Sequence, residues 1–502
     1  MAFSAVGDVL ERSAALWPLK DAIVIDDDRI CYAELLSSSK RVSQMLENLG
    51  LRPGDRIGIF SKSNADYVRL FFGASLRGIV PILINTSWSP AYLASRLAGF
   101  HSKAMFVSEH ADLVKTVNVS LDSSRAAIPV YPTSGIDRFK SRSSEKVSPY
   151  PLAGVVFTAG TTGEPKTCCL SHENILIKVK PFVARMELSE NSRLWLSVPM
   201  YQVGFLSPFI AALSIGATIV TTMQFTPRQA RASLMNEEVT HAYPIYLNQW
   251  LPIIYDPDFR TSDLRALTHL CLIGPARTLK RVQRALPQCV VIPTYGGPEA
   301  GGGFCMPEAG DPVSIRLESV GKPFYGHDVR IASPQDGHAL AANTSGEIQL
   351  HGRGIPQYYD FDGHPSPFTS DGWLKTGDIG MISESGHLYY FGRSSEILNV
   401  GGAIIPAQVI EAVLLEHPDI AMAQVIPISD PVLGEAASAF VERRPGSILN
   451  ALELLDYCRS RLARDHLPRA ITFVNEWPIS ASKIQKNLLS RLPVDWRMAA
   501  DQ

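Results

Sequence analysis

Phe157–Lys166 reads FTAGTTGEPK and follows directly on the apolar run Pro151–Phe157. A strand that opens into such a loop gathers hydroxyls and backbone N–H groups around one point. Glycines let the backbone turn tightly and approach a ligand. Successive N–H groups in such a turn form an anion-binding concavity. Thr158, Thr161 and Thr162 add hydroxyl donors, and Lys166 adds a point positive charge. This chemistry suits a polyphosphate, although the same composition also makes a plain surface turn. The Walker pattern GxxxxGK[ST] does not fit, because the stretch holds no Gly-Lys pair.

The surrounding chain sets the frame. With 502 residues, more than one domain is expected. Hydrophobic residues make up 46% and charged residues 19%, ordinary values for a globular protein. A net charge of −2 argues against a bulk electrostatic grip on nucleic acid or anionic membrane. The seven cysteines (31, 168, 169, 271, 289, 305 and 458) contain no CxxC pair. They read as buried free thiols in a reducing, cytoplasmic compartment, not as a disulfide frame or zinc site. A nucleophilic Cys168 or Cys169 is the less favoured alternative. Asp8, Glu11 and Arg12 interrupt any secretory apolar core, and the final Ala-Ala-Asp-Gln carries no peroxisomal or lipidation signal. Leu194–Pro227 is uncharged and long enough to span a membrane. Pro199, Gly204, Pro208 and Gly216 divide it, however, into strand-like LWLSV, helix-like GFLSPFIAAL and strand-like ATIVTT. Buried parallel strands flanking a helix read this way, so no membrane span is expected.

Taken in order, residues 1–150 alternate strands (Asp55–Phe60, Gly78–Ile84) with a helix over Ala65–Arg77. Such alternation predicts parallel βαβ units. Val119–Pro149 reads as a surface connection. Residues 151–300 repeat the alternation: a helix over Ser171–Val183, another near Pro227–Asn236, strands near His241–Pro244, His269–Gly274 and Val290–Thr294, and a helix from about Thr278. The loops Gly274–Ala276 (GPA) and Tyr295–Glu299 (YGGPE) both follow strand C-termini, the edge at which open α/β sheets bind ligands. A glutamate at that edge, facing a phosphate loop, is a sensible Mg²⁺ ligand; alone, Glu299 is equally a solvated loop acid. Residues 300–392 shift to short alternating runs and suggest a small β-rich layer holding Thr376-Gly-Asp378. A carboxylate there suits paired ribose hydroxyls, though TGD also makes an ordinary turn. Residues 393–502 read as a compact α+β unit, with a helix over Pro406–Glu416, strands at Ile420–Pro427, Ala437–Val441 and Ile471–Val474, and a helix over Leu449–Ala463. Small residues before Lys483 predict a mobile loop that presents it, or simply a solvated lysine.

Together these stretches resemble the adenylate-forming superfamily of acyl- and aryl-CoA synthetases, peptide-synthetase adenylation domains and firefly luciferase. FTAGTTGEPK resembles its phosphate loop. GDRIGIF and GIVPILIN resemble its early strands, CLIGPA its adenine-side loop, and YGGPE its Y-G-x-T-E loop. TGD resembles its ribose-binding motif, GRSSEILNVGGAIIP its hinge motif and WPISASKIQK its terminal lysine segment. The resemblance covers nearly the whole chain and keeps the family order.

It implies an α/β fold with a large N-terminal domain of βαβ layers (1–392), including a small β-rich layer. A small mobile α+β C-terminal domain (393–502) would follow, with its hinge near Glu396. It implies two half-reactions: ATP and a carboxylic acid give an acyl-adenylate and pyrophosphate, then an acceptor displaces AMP. Thr158, Gly160, Thr161, Thr162, Gly163 and Lys166 would hold the phosphates. Glu299, with Thr162, would hold Mg²⁺. Tyr295 and Gly296 would lie near adenine beside Gly274 and Ala276. Asp378 would take the ribose hydroxyls, with Arg393 nearby. Lys483 would bridge carboxylate and α-phosphate, and a rotation of the small domain would exchange it for an acceptor tunnel at Gly401 and Gly402. Tyr201, Gln202, Phe205, Gly297 and Gly301–Gly303 would lie near the acid.

Several positions depart from the family pattern: Ala159 for Ser, Thr167 for Gly, Pro298 for Thr, Gln202 for a common His, Glu396 for Asp, Asn399 for Lys and Ser482 for Gly. Pro298 has no hydroxyl, so one phosphate or Mg²⁺ contact is lost or supplied otherwise. The expected reaction is ligation of an apolar, cyclic or aromatic acid to coenzyme A. An amide synthetase with an amine acceptor is the second reading. A stand-alone adenylation domain serving a separate carrier, and a nucleotide-binding homologue without turnover, complete the alternatives.

Overall fold

Ala65–Arg77 folds as the expected helix for local reasons. Asn64 caps it by accepting from the Tyr67 N–H, which satisfies an orphan donor of the first turn. Gly78 closes it in the left-handed conformation that glycine adopts without penalty. Its Val68, Leu70, Phe71 and Phe72 are buried, each contributing about 1.5–3 kcal/mol of apolar burial. In the computed structural model, residues 3–124, 128–136, 150–158, 165–256, 258–356, 366–401, 403–480, 483–492 and 496–497 are described.

Among those residues, two parallel sheets carry the N-terminal part. One runs in the order Val290–Ile292, His269–Ile273, His241–Tyr246, Arg193–Leu196, Thr218–Thr221 and Asp21–Ile25, with Asp28–Cys31 antiparallel at its edge. The other runs Val130–Pro132, Ser102–Val107, Arg56–Phe60, Val80–Leu83 and Leu152–Phe157, with Thr167–Ser171 antiparallel beside it. Helices with buried apolar faces fill the space between them, and one core cluster draws residues from both sheets. The uncharged stretch divides as its sequence suggests: strands Arg193–Leu196 and Thr218–Thr221 flank a buried helix Val203–Ser214. Among the described residues no helix is long and apolar enough to cross a membrane.

An antiparallel sheet follows, ordered His327–Ala332, Gly346–Gly352, Leu374–Ile382 and Leu388–Arg393. Beyond it, the long strands Ile420–Asp430 and Gly434–Arg443 pair and carry a sheet of their own. The apolar cluster of this smaller unit draws only on residues from Leu398 onward. The chain is thus α/β, with a large N-terminal body of parallel sheets and a smaller C-terminal one.

Four sequence expectations need correction. Val119–Pro149 is not simply a connection, because the helix Ala111–Ser124 runs into it and Val130–Pro132 is an edge strand; residues 137–149 lie outside the described set. The helix over Ser171–Val183 breaks into His172–Leu176, opened by a Ser171–Asn174 capping box, and Val179–Arg185. Pro406 caps its helix instead of opening the first turn. Lys483 itself is in a strand, Lys483–Ile484 pairing antiparallel with Ile479–Ser480; the small residues 481–482 before it lie outside the described set.

Candidate active site

The C-terminal ends of both parallel sheets converge on one cavity. Leu83 and Asn85 come from the end of Val80–Leu83, Phe157 and Thr158 from the end of Leu152–Phe157, and Tyr243, Ile245 and Tyr246 from His241–Tyr246. Tyr201, Gln202, Val203 and Gly204 reach it from the start of the buried helix, and Ile273 and Thr294 from two further strand ends. Gly296, Gly297, Pro298, Gly302 and Gly303 close it. The described lining contains no Asp, Glu, Lys, Arg or His. Trp88 meets Phe157 edge-on with ring centroids 4.7 Å apart, which stiffens one wall. Burial pushes the Tyr201 hydroxyl up to about 12, so it stays neutral.

A second, smaller cavity lies behind Gly296 and Gly297 and shares them as a wall. Tyr295, Glu299, Ala300, Thr376, Asp378 and Arg393 line it. Tyr295 Oη donates to Asp378 Oδ2 at 2.7 Å. Arg393 Nε lies 2.9 Å from Asp378 Oδ1, but off the hydrogen-bonding direction, and that buried oxygen accepts no hydrogen bond among the described residues. Burial raises the Asp378 carboxyl above the usual range, while Arg393 and Tyr295 pull it back. A buried carboxylate with spare acceptor capacity suits two neighbouring hydroxyls. Glu299 is close enough to act electrostatically on both Asp378 and Arg393. One carboxylate at the rim of such a cavity fits Mg²⁺, which takes one or two carboxylates and completes its shell with phosphate oxygens and water.

The remaining predicted residues distribute as follows. Thr158 closes the base of the FTAGTTGEPK loop: its N–H donates to the Lys166 carbonyl and its Oγ1 accepts from the Lys166 N–H, each at 2.9 Å. Lys166 is exposed. Ala159, Gly160, Thr161, Thr162 and Gly163 lie outside the described residues, as do Gly402 and Ser482. Gly274 and Ala276 sit at the same sheet edge but line neither cavity. A Cβ on Gly274 would come within 2.5 Å of Leu247 Cδ1, so close packing accounts for that glycine. Phe205 does not reach the acid-sized cavity either, because it points into the core and stacks on Phe209 at 5.0 Å. Gly301 also lies behind the wall formed by Gly302 and Gly303, against the Gly354 carbonyl. Cys168 is buried and its thiol is pushed far up by that burial, unsuited to nucleophilic work.

Near the junction of the two units, Glu396 and Glu411 both grip Lys486, at 3.0 and 2.9 Å. Burial opposes the Lys486 ammonium, but the two carboxylates outweigh it and hold it charged. Gly401 turns the chain between Ile397–Val400 and Ala403–Pro406 at a φ of +58°.

Sequence reasoning missed Trp88, Asn85, Tyr243, Tyr246 and Thr294 as cavity walls. Asn85, Trp88 and Thr294 follow strand ends, whereas Tyr243 and Tyr246 belong to the strand His241–Tyr246 itself. It also missed the Lys486 triad, where only Glu396 had been singled out.

Relatives carry the same arrangement of chain. A 2-succinylbenzoate–CoA ligase of Bacillus licheniformis is 27% identical, over 94% of this chain and 97% of its own. The fold matches that of the anthranilate CoA ligase AuaEII, solved with anthranoyl-AMP, at a TM-score of 0.90 and 21% identity, covering 98% and 97% of the two chains. It also matches the o-succinylbenzoate CoA synthetase MenE of Bacillus subtilis, solved with ATP and magnesium, at a TM-score of 0.81 and 24% identity, covering 96% and 99%. Residues 409–483 match the C-terminal domain model of AMP-binding enzymes. Residues 10–359 match the model of the AMP-binding enzymes themselves, and the chain belongs to that family.

Proposed function

We propose that the protein is an ATP-dependent acid–CoA ligase acting on a compact, uncharged, ring-bearing carboxylic acid. The observation that carries the reading is the pair of cavities sharing the Gly296–Gly297 wall: one is apolar and aromatic, the other holds a buried carboxylate with open acceptor sites. The nucleoside and the acid would meet where only glycine backbone separates them, so a carboxylate oxygen can reach the α-phosphorus of ATP. That attack forms the acyl-adenylate and releases pyrophosphate; a thiol then attacks the acyl carbon and AMP leaves. The curated relative and both structural neighbours are CoA ligases by name, which favours a thiol over an amine as acceptor.

The residues divide the work. Asp378 would anchor the ribose, held in place by Tyr295 and Arg393. Lys166 and the hydroxyls at the base of its loop would meet the phosphates. Glu299 would hold Mg²⁺, which supplies charge neutralisation at the phosphates. Lys483 would bring its ammonium to the carboxylate and α-phosphate from the C-terminal unit. We place the division of units at residues 392/393, with the hinge at Glu396, because the small unit's core begins at Leu398. A cytoplasmic setting accords with seven cysteines and no disulfide among them.

The acid is constrained by the walls. A charged second group would find no described counter-charge in the cavity, and burying an unpaired charge is costly. The cavity volume is about 130 Å³, and an apolar cavity of about 150 Å³ accommodates one benzene ring. A panel of acids scored by ATP-dependent pyrophosphate release tests this: single-ring neutral acids should lead. Free amino acids or long-chain fatty acids leading the panel would overturn it.

A further inference from the structure

Lys178 is only 1% exposed, yet it has no acidic partner among the described residues. Its Nζ donates to the carbonyl of Ala300. Burial pushes its pKa down to about 7, which marks an ammonium held where water would normally be needed. The neighbouring ring of His327 offers no negative charge. Its Nδ1 faces the Tyr325 carbonyl at 3.2 Å, and its buried Nε2 has no hydrogen-bond partner. Such an arrangement does not favour folding by itself.

Its location suggests what it does instead. Ala300 ends the short turn Pro298–Ala300 that carries Glu299. Gly301 follows at a φ of +67°; a Cβ there would lie 3.0 Å from Lys178 Nζ and 2.6 Å from the Gly354 carbonyl. The turn therefore has the two cavities on one side and Lys178 packed against another. The Nζ–Ala300 bond fixes the end of the turn whose preceding residue is the Mg²⁺ candidate, and below about pH 7, where the ammonium prevails, it is charge-assisted and stronger than a neutral one.

We propose that Lys178 is a positioning residue for adenylation: its buried amino group pins the Ala300 carbonyl and so sets the turn that presents Glu299 and Gly297 to the reacting groups. This rests on the reading of Glu299 as the Mg²⁺ ligand. Lys178 touches no substrate and acts only through the turn, so its loss should separate rate from stability and one half-reaction from the other.

The test uses the full-length Lys178→Met variant, which keeps the side-chain length and removes the charge. Its thermal midpoint should stay near wild type or rise. Its ATP–pyrophosphate exchange should fall by about ten- to a hundredfold in kcat, the scale expected of a small misplacement. The Mg²⁺ concentration for half-maximal exchange should rise, while supplied acyl-adenylate is still converted with CoA at the wild-type rate. Lys178→Gln, which retains a donor, should recover part of the exchange rate, and it is read in the same way if the Met variant does not fold. Wild-type exchange and Mg²⁺ dependence in a folded variant would overturn the inference, as would equal loss of both half-reactions. Glu299→Gln is run alongside. If it exchanges normally, the Glu299 reading fails; if it is inactive while Lys178→Met is normal, only the Lys178 inference fails.

Discussion

Replacing Asp378 with Asn keeps the shape of the side chain and removes its charge. The carboxylate sits between Tyr295 Oη at 2.7 Å and Arg393 Nε at 2.9 Å. Its Oδ1 is buried with no hydrogen bond received among the described residues. If ribose hydroxyls complete that shell, two charge-assisted bonds of about 1.5–3 kcal/mol each are at stake. Asn retains one acceptor and turns the other position into a donor, and it leaves Arg393 with Glu299 but without its nearer counter-charge. The net loss of ATP affinity should be about 2–4 kcal/mol, or roughly 30- to 1000-fold in the ATP dependence. The fold should lose little, because burial already disfavours the Asp378 charge. Exchange kinetics at varied ATP, paired with thermal unfolding, separate the two effects. An unchanged ATP KM in the folded variant would refute the ribose assignment.

Other perturbations test different parts. Gly303→Val should fold, since the Cβ position there meets nothing closer than Thr294 Oγ1 at 3.5 Å; it should raise the acid KM about tenfold or more by filling the cavity and leave the ATP KM alone, and an unaltered acid KM would remove Gly303 from the acid site. Lys483→Ala should reduce pyrophosphate exchange by about a thousandfold yet still convert supplied acyl-adenylate with CoA; near-normal exchange would end the role given to that lysine. Burial lowers the pKa of His172 to about 4, of His241 to about 3 and of His327 to about 4. The unfolded chain takes up these protons near pH 6.5 and the fold does not, so stability should fall as pH drops from about 6.5 toward 4, by on the order of 2–3 kcal/mol per histidine. A thermal midpoint that stays constant from pH 7 to pH 4.5 would contradict those neutral buried rings.

Much of the fold was readable because its signals are local. Asn64 and Gly78 bracket an amphipathic run, and Pro199 and Gly216 divide an uncharged stretch into strand, helix and strand. The Tyr295, Asp378 and Arg393 cluster was also foreseeable from motif resemblance. What escaped is set by non-local packing. Trp88, Asn85, Tyr243 and Tyr246 become one wall only when two sheets meet. Phe205 and Tyr201 lie four residues apart, yet one enters the core and the other the cavity. Lys178, in the run ILIKVK, stands at helical spacing from the buried Ile175 and Phe182, but a lysine reads by type as solvated. Its burial follows from the Ala300 turn and the Gly354 segment closing over it.

The central claim is that the two cavities join an acid to ATP and hand the product to a thiol. Mass spectrometry of the enzyme incubated with ATP, Mg²⁺, a neutral single-ring acid and both CoA and mixed amino acids tests it most directly. The account predicts an acyl-CoA thioester formed one-for-one with AMP and pyrophosphate. An amide product, ADP in place of AMP, or no nucleotide turnover with any acid of the panel would contradict it.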